Sequence, residues 1–244
     1  KLAILDDDRT HLQLIEQALQ GGEEAWVKQL ECRYFTTGED LMVALNAGHF
    51  DGVILDRQVG DVSGDDVLRW IRAHCPPQMI VLMVTSLIGA QEVVNLLTAG
   101  ADDYVTKPFH GAELLARVRR LLARRVLSQP PTENKSPQTT FELFGCVFDR
   151  SSLSILTTSG VTLSLTEREF SLVEFMLKHE VQPMSRAQIF EGVWQRPYLN
   201  NSRVVDALVH RVRARLGLRP DVGFVLHQVY GFGYRLDVVK DAGL

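Results

Sequence analysis

Cysteine is scarce and poorly placed for cross-linking. Cys32, Cys75 and Cys146 are odd in number, far apart and without a CxxC pair, which argues against a disulfide framework and a cysteine-built zinc site. All three are expected to be reduced core thiols. No apolar run approaches the roughly 18 residues a membrane span requires. The first eight residues, KLAILDDD, put three carboxylates where a signal peptide needs its apolar stretch, so the chain is expected in the cytoplasm. An apolar strand is expected to start at once after Lys1, with a few residues ahead of it in the whole protein. Internal repeats and long low-complexity tracts are also missing. With 45% hydrophobic and 23% charged residues, the composition excludes a collagenous or disordered chain.

What is present is 244 residues, a length that favours two domains, each able to bury its own core. Charge separates the halves. Residues 1–125 carry 13 Lys and Arg against 18 Asp and Glu, whereas residues 126–244 carry 13 against 12. Within the second half Arg203, Arg211, Arg213, Arg215 and Arg219 crowd into one stretch, a local basic helix. Charge alone fits a solvated helix face equally well.

The seam is expected at 126–140, VLSQPPTENKSPQTT, where three prolines and polar residues replace any apolar periodicity. That gives a first domain over 1–125, a linker over 126–140 and a second domain over 141–240. The first alternates apolar runs at 2–5, 32–35, 52–55, 80–84 and 103–105 with amphipathic stretches near 9–20, 38–47, 63–74, 89–99 and 110–125. Five such units, with strands apolar on both faces, predict a doubly wound α/β fold with a parallel sheet covered by helices on each side. Ligands of such sheets bind at the carboxyl ends of the strands. The second domain is expected to open with strands within 141–149, 153–158 and 161–164. Helices near 166–179, 185–193 and 202–216 follow, and then two strands, FVLHQV and YGFGYRLDV. That order predicts an α+β winged helix.

Polar residues follow the apolar runs of the first domain. Asp6, Asp7 and Asp8 follow the first strand, Asp56 follows GVIL, Thr85 follows VLMV and Lys107 ends YVTK. Carboxylates gathered at one place repel, and a small hard divalent cation with oxygen ligands, Mg²⁺, relieves the repulsion. A metal so held neutralises an incoming phosphoryl group while one carboxylate acts as nucleophile. A single Asp at a strand end is more often a solvated loop residue or a helix cap. Four strand ends supplying matched chemistry argue against coincidence.

With DDD after strand one, D after strand three, T after strand four and KPF after strand five, residues 1–125 resemble the receiver domain of bacterial two-component response regulators, a flavodoxin-like (βα)5 fold. The resemblance implies that Asp56 accepts a phosphoryl group from a sensor histidine kinase. It further implies that Asp6, Asp7, Asp56 and the backbone carbonyl of Gln58 hold Mg²⁺, with Asp8 left as a solvated loop residue. Lys107 and Thr85 would contact the phosphoryl oxygens, Tyr104 would be the aromatic switch, and the Lys107–Pro108 bond would be cis. The chain departs from the pattern at Gly60, which stands where the family usually has proline, so that loop order and phosphorylation efficiency are open at this point.

On a helical wheel Val205, Leu208, Val209, Val212 and Leu216 share one face, and Arg203, Ala207, His210, Arg211, Arg213 and Ala214 fall on the other side. Small residues flanked by arginines suit a helix lying in the major groove. SRVVDALVHRVRARLG followed by YGFGYRL resembles the recognition helix and wing of the OmpR/PhoB subfamily, and TEREFSLVEFMLKHEVQPMSRAQIFEGVW resembles the helices before it. The resemblance assigns Arg211 to a base edge and Arg203, Arg213 and Tyr230 to phosphate or sugar. Tyr230 stands where the family often has an arginine.

Together these readings predict a phosphorylation-controlled, DNA-binding transcription regulator, not an enzyme, with a kinase and promoter DNA as partners and RNA polymerase as a further candidate. The resemblance also implies a homodimer through residues of 89–125, where Asp102, Asp103, Glu113, Arg117 and Arg124 form symmetric pairs, although Val93 occupies the place where Glu113 would find a basic partner. One alternative is a DNA-binding or scaffold protein independent of phosphorylation, motivated by Gly60. A more distant one is a Mg²⁺-dependent aspartyl-phosphate phosphohydrolase, which lacks its usual second Asp because Gln58 is there.

Overall fold

The computed structural model describes residues 1–21, 27–86, 89–126, 140–198, 203–216 and 222–238. It divides into two units, Lys1–Ala123 and Arg124–Leu244. Most of the expected linker, 127–139, lies outside the described residues, as do Arg219 and the last residues of the expected second domain.

In the first unit the apolar runs become β1 (Leu2–Leu5), β2 (Cys32–Phe35), β3 (Gly52–Asp56), β4 (Ile80–Thr85) and β5 (Asp103–Thr106). All neighbours pair in parallel, in the order β2-β1-β3-β4-β5. The chain reverses its direction of growth after β2, so the carboxyl ends of β1 and β3 flank the switch point where such sheets hold ligands. β1, β3 and β4 are buried at every residue, while the edge strand β2 is largely half-exposed. That explains why the central strands read as continuous apolar runs.

Five helices cover the sheet: α1 (Arg9–Gln20), α2 (Gly38–Ala47), α3 (Gly64–His74), α4 (Ala90–Ala99) and α5 (Gly111–Val126). Asp8, Thr37 and Ser63 cap the first three through their side-chain oxygens. Asp8, expected as a plain loop residue, is thus the cap of α1. Leu2, Ile4, Ile54, Leu82 and Val105 form one core with Ile15, Leu19, Leu114 and Val118 of α1 and α5. Gly64 is required by close approach, since a Cβ there would stand 2.2 Å from the Asp56 carbonyl oxygen. Its absence lets α3 begin directly against the end of β3.

The second unit opens with an antiparallel sheet of β6 (Thr140–Leu143), β7 (Cys146–Asp149), β8 (Ser154–Leu156) and β9 (Thr162–Ser164) in sequence order. The stretch 141–149 is not continuous. Phe144 and Gly145 both adopt positive φ, 53° and 73°, and turn the chain back in a hairpin. Next come α6 (Glu167–Lys178), the two-residue β10 (Met184–Ser185), α7 (Arg186–Trp194), α8 (Arg203–Leu216), β11 (Phe224–Val229) and β12 (Gly233–Val238). The last sheet has the order β10-β12-β11. Thr166 with Glu169, and Ser185 with Gln188, form capping boxes at the starts of α6 and α7. Val204, Val205, Leu208, Val209, Val212 and Leu216 of α8 are buried, which is the wheel's apolar face with Val204 added. No described helix is long and apolar enough to cross a membrane.

Candidate functional site

The carboxyl ends of β1, β3, β4 and β5 bring the predicted pocket together. Asp6 and Asp56 are buried and Asp7 is exposed, and one carboxylate oxygen from each lies within 4.8 Å of the others. Lys107, at the end of β5, puts its Nζ 2.8 Å from Asp6 Oδ2 and 3.0 Å from Asp56 Oδ2. The Lys107–Pro108 bond is cis, as the sequence pattern implied. The Lys107 N–H donates to the Thr85 carbonyl at 2.7 Å, and the Arg57 N–H to the Val84 carbonyl at 2.9 Å, so the ends of β3, β4 and β5 are laced by backbone bonds. Thr85 is itself buried.

Burial pushes the Asp56 carboxyl above the ordinary carboxylate value, and the nearby Asp6 charge adds to this. Hydrogen bonds from Lys107 and from the Gln58 N–H act in the opposite direction. Three carboxylates with one ammonium leave surplus negative charge in a set of hard oxygens, and the residues present therefore fit a small divalent cation. The Gln58 side-chain oxygen accepts from Ser86 Oγ at 3.1 Å.

Sequence reasoning missed His11, whose Nδ1 stands 3.0 Å from Lys107 Nζ and 3.4 Å from Asp6 Oδ1. An ammonium only donates, so Nδ1 is the acceptor in the first contact. The signal available was its place in the first turn of α1, three residues after Asp8. The loop after Asp56 is tied at several points. Arg57 pairs with Asp65 at 3.1 Å, the Gly60 N–H donates to Asp7 Oδ2 at 3.0 Å, and Asp61 accepts from the N–H groups of Gly38 and Glu39 at 3.0 and 3.1 Å. These last bonds hold the Asp61 carboxyl below the usual range.

In the second unit, Arg203, His210, Ala214 and Arg215 are the exposed residues of α8, with Ala207, Arg211 and Arg213 half-buried. Tyr230 is 97% exposed at the tip of the β11–β12 hairpin. Arg211 is not simply on a solvated face: its Nε lies 3.8 Å, and that of Arg215 2.9 Å, from the fully buried Glu169. Arg213 also has partners within the chain. Its Nε donates to the Leu226 carbonyl at 3.0 Å and its guanidinium lies over the Tyr234 ring at 5.5 Å, so in this structure it fastens α8 to the hairpin. Arg186 lies over the same ring at 5.3 Å, and Asp206 accepts from both Arg186 and the Tyr234 hydroxyl at 2.8 Å.

Residues 2–119 match the response regulator receiver domain family, and residues 160–236 match the family described as transcriptional regulatory protein, C terminal. The transcriptional regulatory protein AfsQ1 of Streptomyces coelicolor is 35% identical over 202 residues, covering 82% of this chain and 84% of AfsQ1. The chain belongs to the OmpR/PhoB subfamily of response regulators. CusR of Escherichia coli is 34% identical over 194 residues, 78% of this chain and 80% of its own. A solved structure of a RitR mutant covers 96% of this response regulator and 97% of its own chain at 18% identity, with a TM-score of 0.62, a likeness of fold.

The residues expected at the dimer face already have partners within the chain. Within the chain Asp102 is buried, accepts from Arg72 at 2.7 Å and caps the Val81 N–H at 2.8 Å. Asp103 is also buried and is met within the chain by Arg117 at 3.2 Å and by Arg120 at 2.5 Å, while Arg117 reaches Glu113 at 2.6 Å. Arg120 was not singled out from the sequence. Val93, in α4, is buried. The side chain of Arg124 lies outside the described residues.

Proposed function

We propose that Asp56 is the phosphoacceptor of this regulator and that a sensor histidine kinase is the donor. A carboxylate oxygen of Asp56 attacks the phosphorus of a phosphohistidine, the P–N bond breaks with its electron pair going to the imidazole, which takes up a proton, and an acyl phosphate remains on Asp56. The observation carrying this reading is the buried Asp56 carboxylate with an ammonium 3.0 Å away and two further carboxylates close enough to share a cation. Asp6, Asp7, Asp56 and the Gln58 carbonyl are the proposed ligands of Mg²⁺, which when bound supplies positive charge against the phosphoryl oxygens.

Lys107 meets one phosphoryl oxygen as a point charge, and the Thr85 hydroxyl donates to another. Tyr104 follows Thr85 inward, so the phosphorylated receiver favours one of two pre-existing conformations. That conformation dimerises through α4, β5 and α5, where Asp102, Asp103, Glu113, Arg117 and Arg124 exchange partners across a two-fold axis. Dimers then place two copies of α8 on promoter DNA in the cytoplasm, within reach of RNA polymerase. Arg211 reads a base edge, Ala207 and His210 face the groove, and Arg203 and Tyr230 meet the phosphate backbone. The phosphoryl group serves as a signal, not as a substrate to be turned over.

Incubation with acetyl phosphate and Mg²⁺ tests the core of this reading. The chain is expected to gain one acid-stable, base-labile phosphoryl group and Asp56→Ala none. Equal labelling of the variant moves the acceptor elsewhere. Genome-wide footprinting with and without the phosphodonor then tests whether the modification governs DNA occupancy.

A further inference from the structure

The Gly60 N–H donates to Asp7 Oδ2 at 3.0 Å across 53 positions of chain. Proline has no N–H to give, so this bond requires a residue other than proline at position 60. Conformational freedom does not explain the glycine. Gly60 is not among the glycines with positive φ, and a Cβ there would meet only Asp7 Oδ2, at 3.4 Å.

Asp7 is the exposed member of the three-carboxylate cluster. An exposed Asp samples several rotamers in water, and fixing one of them costs entropy when a ligand binds. The Gly60 amide has already selected one rotamer. The donor is itself fixed, because Arg57 and Asp61 anchor the chain on both sides of it, to Asp65 and to the start of α2.

We propose that the Gly60 amide is a positioning group that holds Asp7 ready to complete the cation site with Asp6 and Asp56. This rests on reading the cluster as a Mg²⁺ site. Gly60→Ala keeps the amide and Gly60→Pro removes it, a matched pair. In calorimetric titration of the full chain with MgCl₂, Gly60→Ala binds within about twofold of wild type and Gly60→Pro binds roughly three- to tenfold more weakly. In an Asp7→Ala background Gly60→Pro adds no further loss, as a double-mutant cycle requires of a residue acting through Asp7. Equal binding by wild type and Gly60→Pro overturns the proposal, as does a Gly60→Ala variant as weak as Gly60→Pro, or a Gly60→Pro loss that persists without Asp7. A wild type that takes up no Mg²⁺ sinks the cation-site reading itself, and the proposal with it.

Hydrogen exchange gives a second readout on the unmutated loop. The Gly60 amide of the metal-free wild type is expected to be protected, and to exchange about tenfold faster in Asp7→Ala. An amide that exchanges equally fast in both chains overturns the proposal.

Discussion

Lys107 Nζ lies 3.0 Å from Asp56 Oδ2, yet the Asp56 carboxyl stays above the ordinary carboxylate value because burial and Asp6 outweigh the ammonium. The folded chain therefore holds a proton at Asp56 over a pH range where the unfolded chain has lost it. Stability linked to this group is full below the unfolded value, near 3.8, and is lost as pH rises through the raised folded value. Asp56→Asn is accordingly expected to melt higher than wild type at pH 7, with the difference shrinking as pH falls toward the ordinary carboxylate value. Mg²⁺ should narrow the gap at pH 7, since a ligand bound by the folded state adds stability that grows with the logarithm of one plus its concentration over its dissociation constant. A lower melting temperature for Asp56→Asn at pH 7 without metal would show that Lys107 dominates instead.

The buried pairing of Asp102 with Arg72 separates a folding role from a dimer role. Asp102→Ala leaves a guanidinium without its carboxylate and the Val81 N–H without an acceptor. Breaking such a pair costs about 3–5 kcal/mol. Urea unfolding of the variant should show that loss in the receiver transition. A variant of normal stability but impaired dimerisation would leave Asp102 with an interface role alone.

Thr85 ends β4, buried beside the pocket, and is expected to transmit the modification without accepting it. Thr85→Ala should take up the phosphoryl group from acetyl phosphate yet show a smaller shift toward dimer, because a ligand moves a two-state equilibrium only by its differential contacts. Sedimentation measures the dimer fraction. An undiminished phosphorylation-driven dimer in this variant removes Thr85 from the switch.

Local periodicity made most elements legible. β1, β3 and β4 are buried on both faces and read as unbroken apolar runs, and α8 shows its buried stripe on a wheel. The Phe144–Gly145 turn was hidden because Phe is not a turn residue and apolar residues flank it on both sides. β10, two residues long, carries no period at all. In the pocket, the strand-end residues were legible because each directly follows an apolar run. The contacts of His11, Asp61 and Gly60 were not, since they depend on how helix and loop backbones meet across the sheet end. The partner of Asp102 was hidden for the same reason: a charge pattern marks it as acidic, but only the folded chain shows Arg72 of α3 upon it. Glu169 reads as half of a capping box, and nothing local signals that two arginines of α8 converge on it.

Three arginines of α8 are predicted to divide base reading, phosphate contact and support of the hairpin among them. Arg211→Ala is expected to cost roughly 1–3 kcal/mol on a specific operator and far less on random DNA, the signature of a base-edge contact. Arg203, exposed at the first turn of α8, is assigned to phosphate, so Arg203→Ala should weaken both DNAs alike and flatten the slope of log K against log salt by about one unit. Arg213 is bonded to the Leu226 carbonyl and lies over Tyr234. Its removal should therefore loosen the hairpin that carries Tyr230, weakening both DNAs about equally while leaving the salt slope nearly unchanged, because no released counterion is tied to a guanidinium already engaged within the protein. Titrations of all three variants over a range of salt decide among these roles. If Arg213→Ala flattens the slope as Arg203→Ala does, its guanidinium leaves Leu226 for phosphate when DNA binds. If Arg211→Ala loses equal affinity on both DNAs, that residue positions the helix and does not read it.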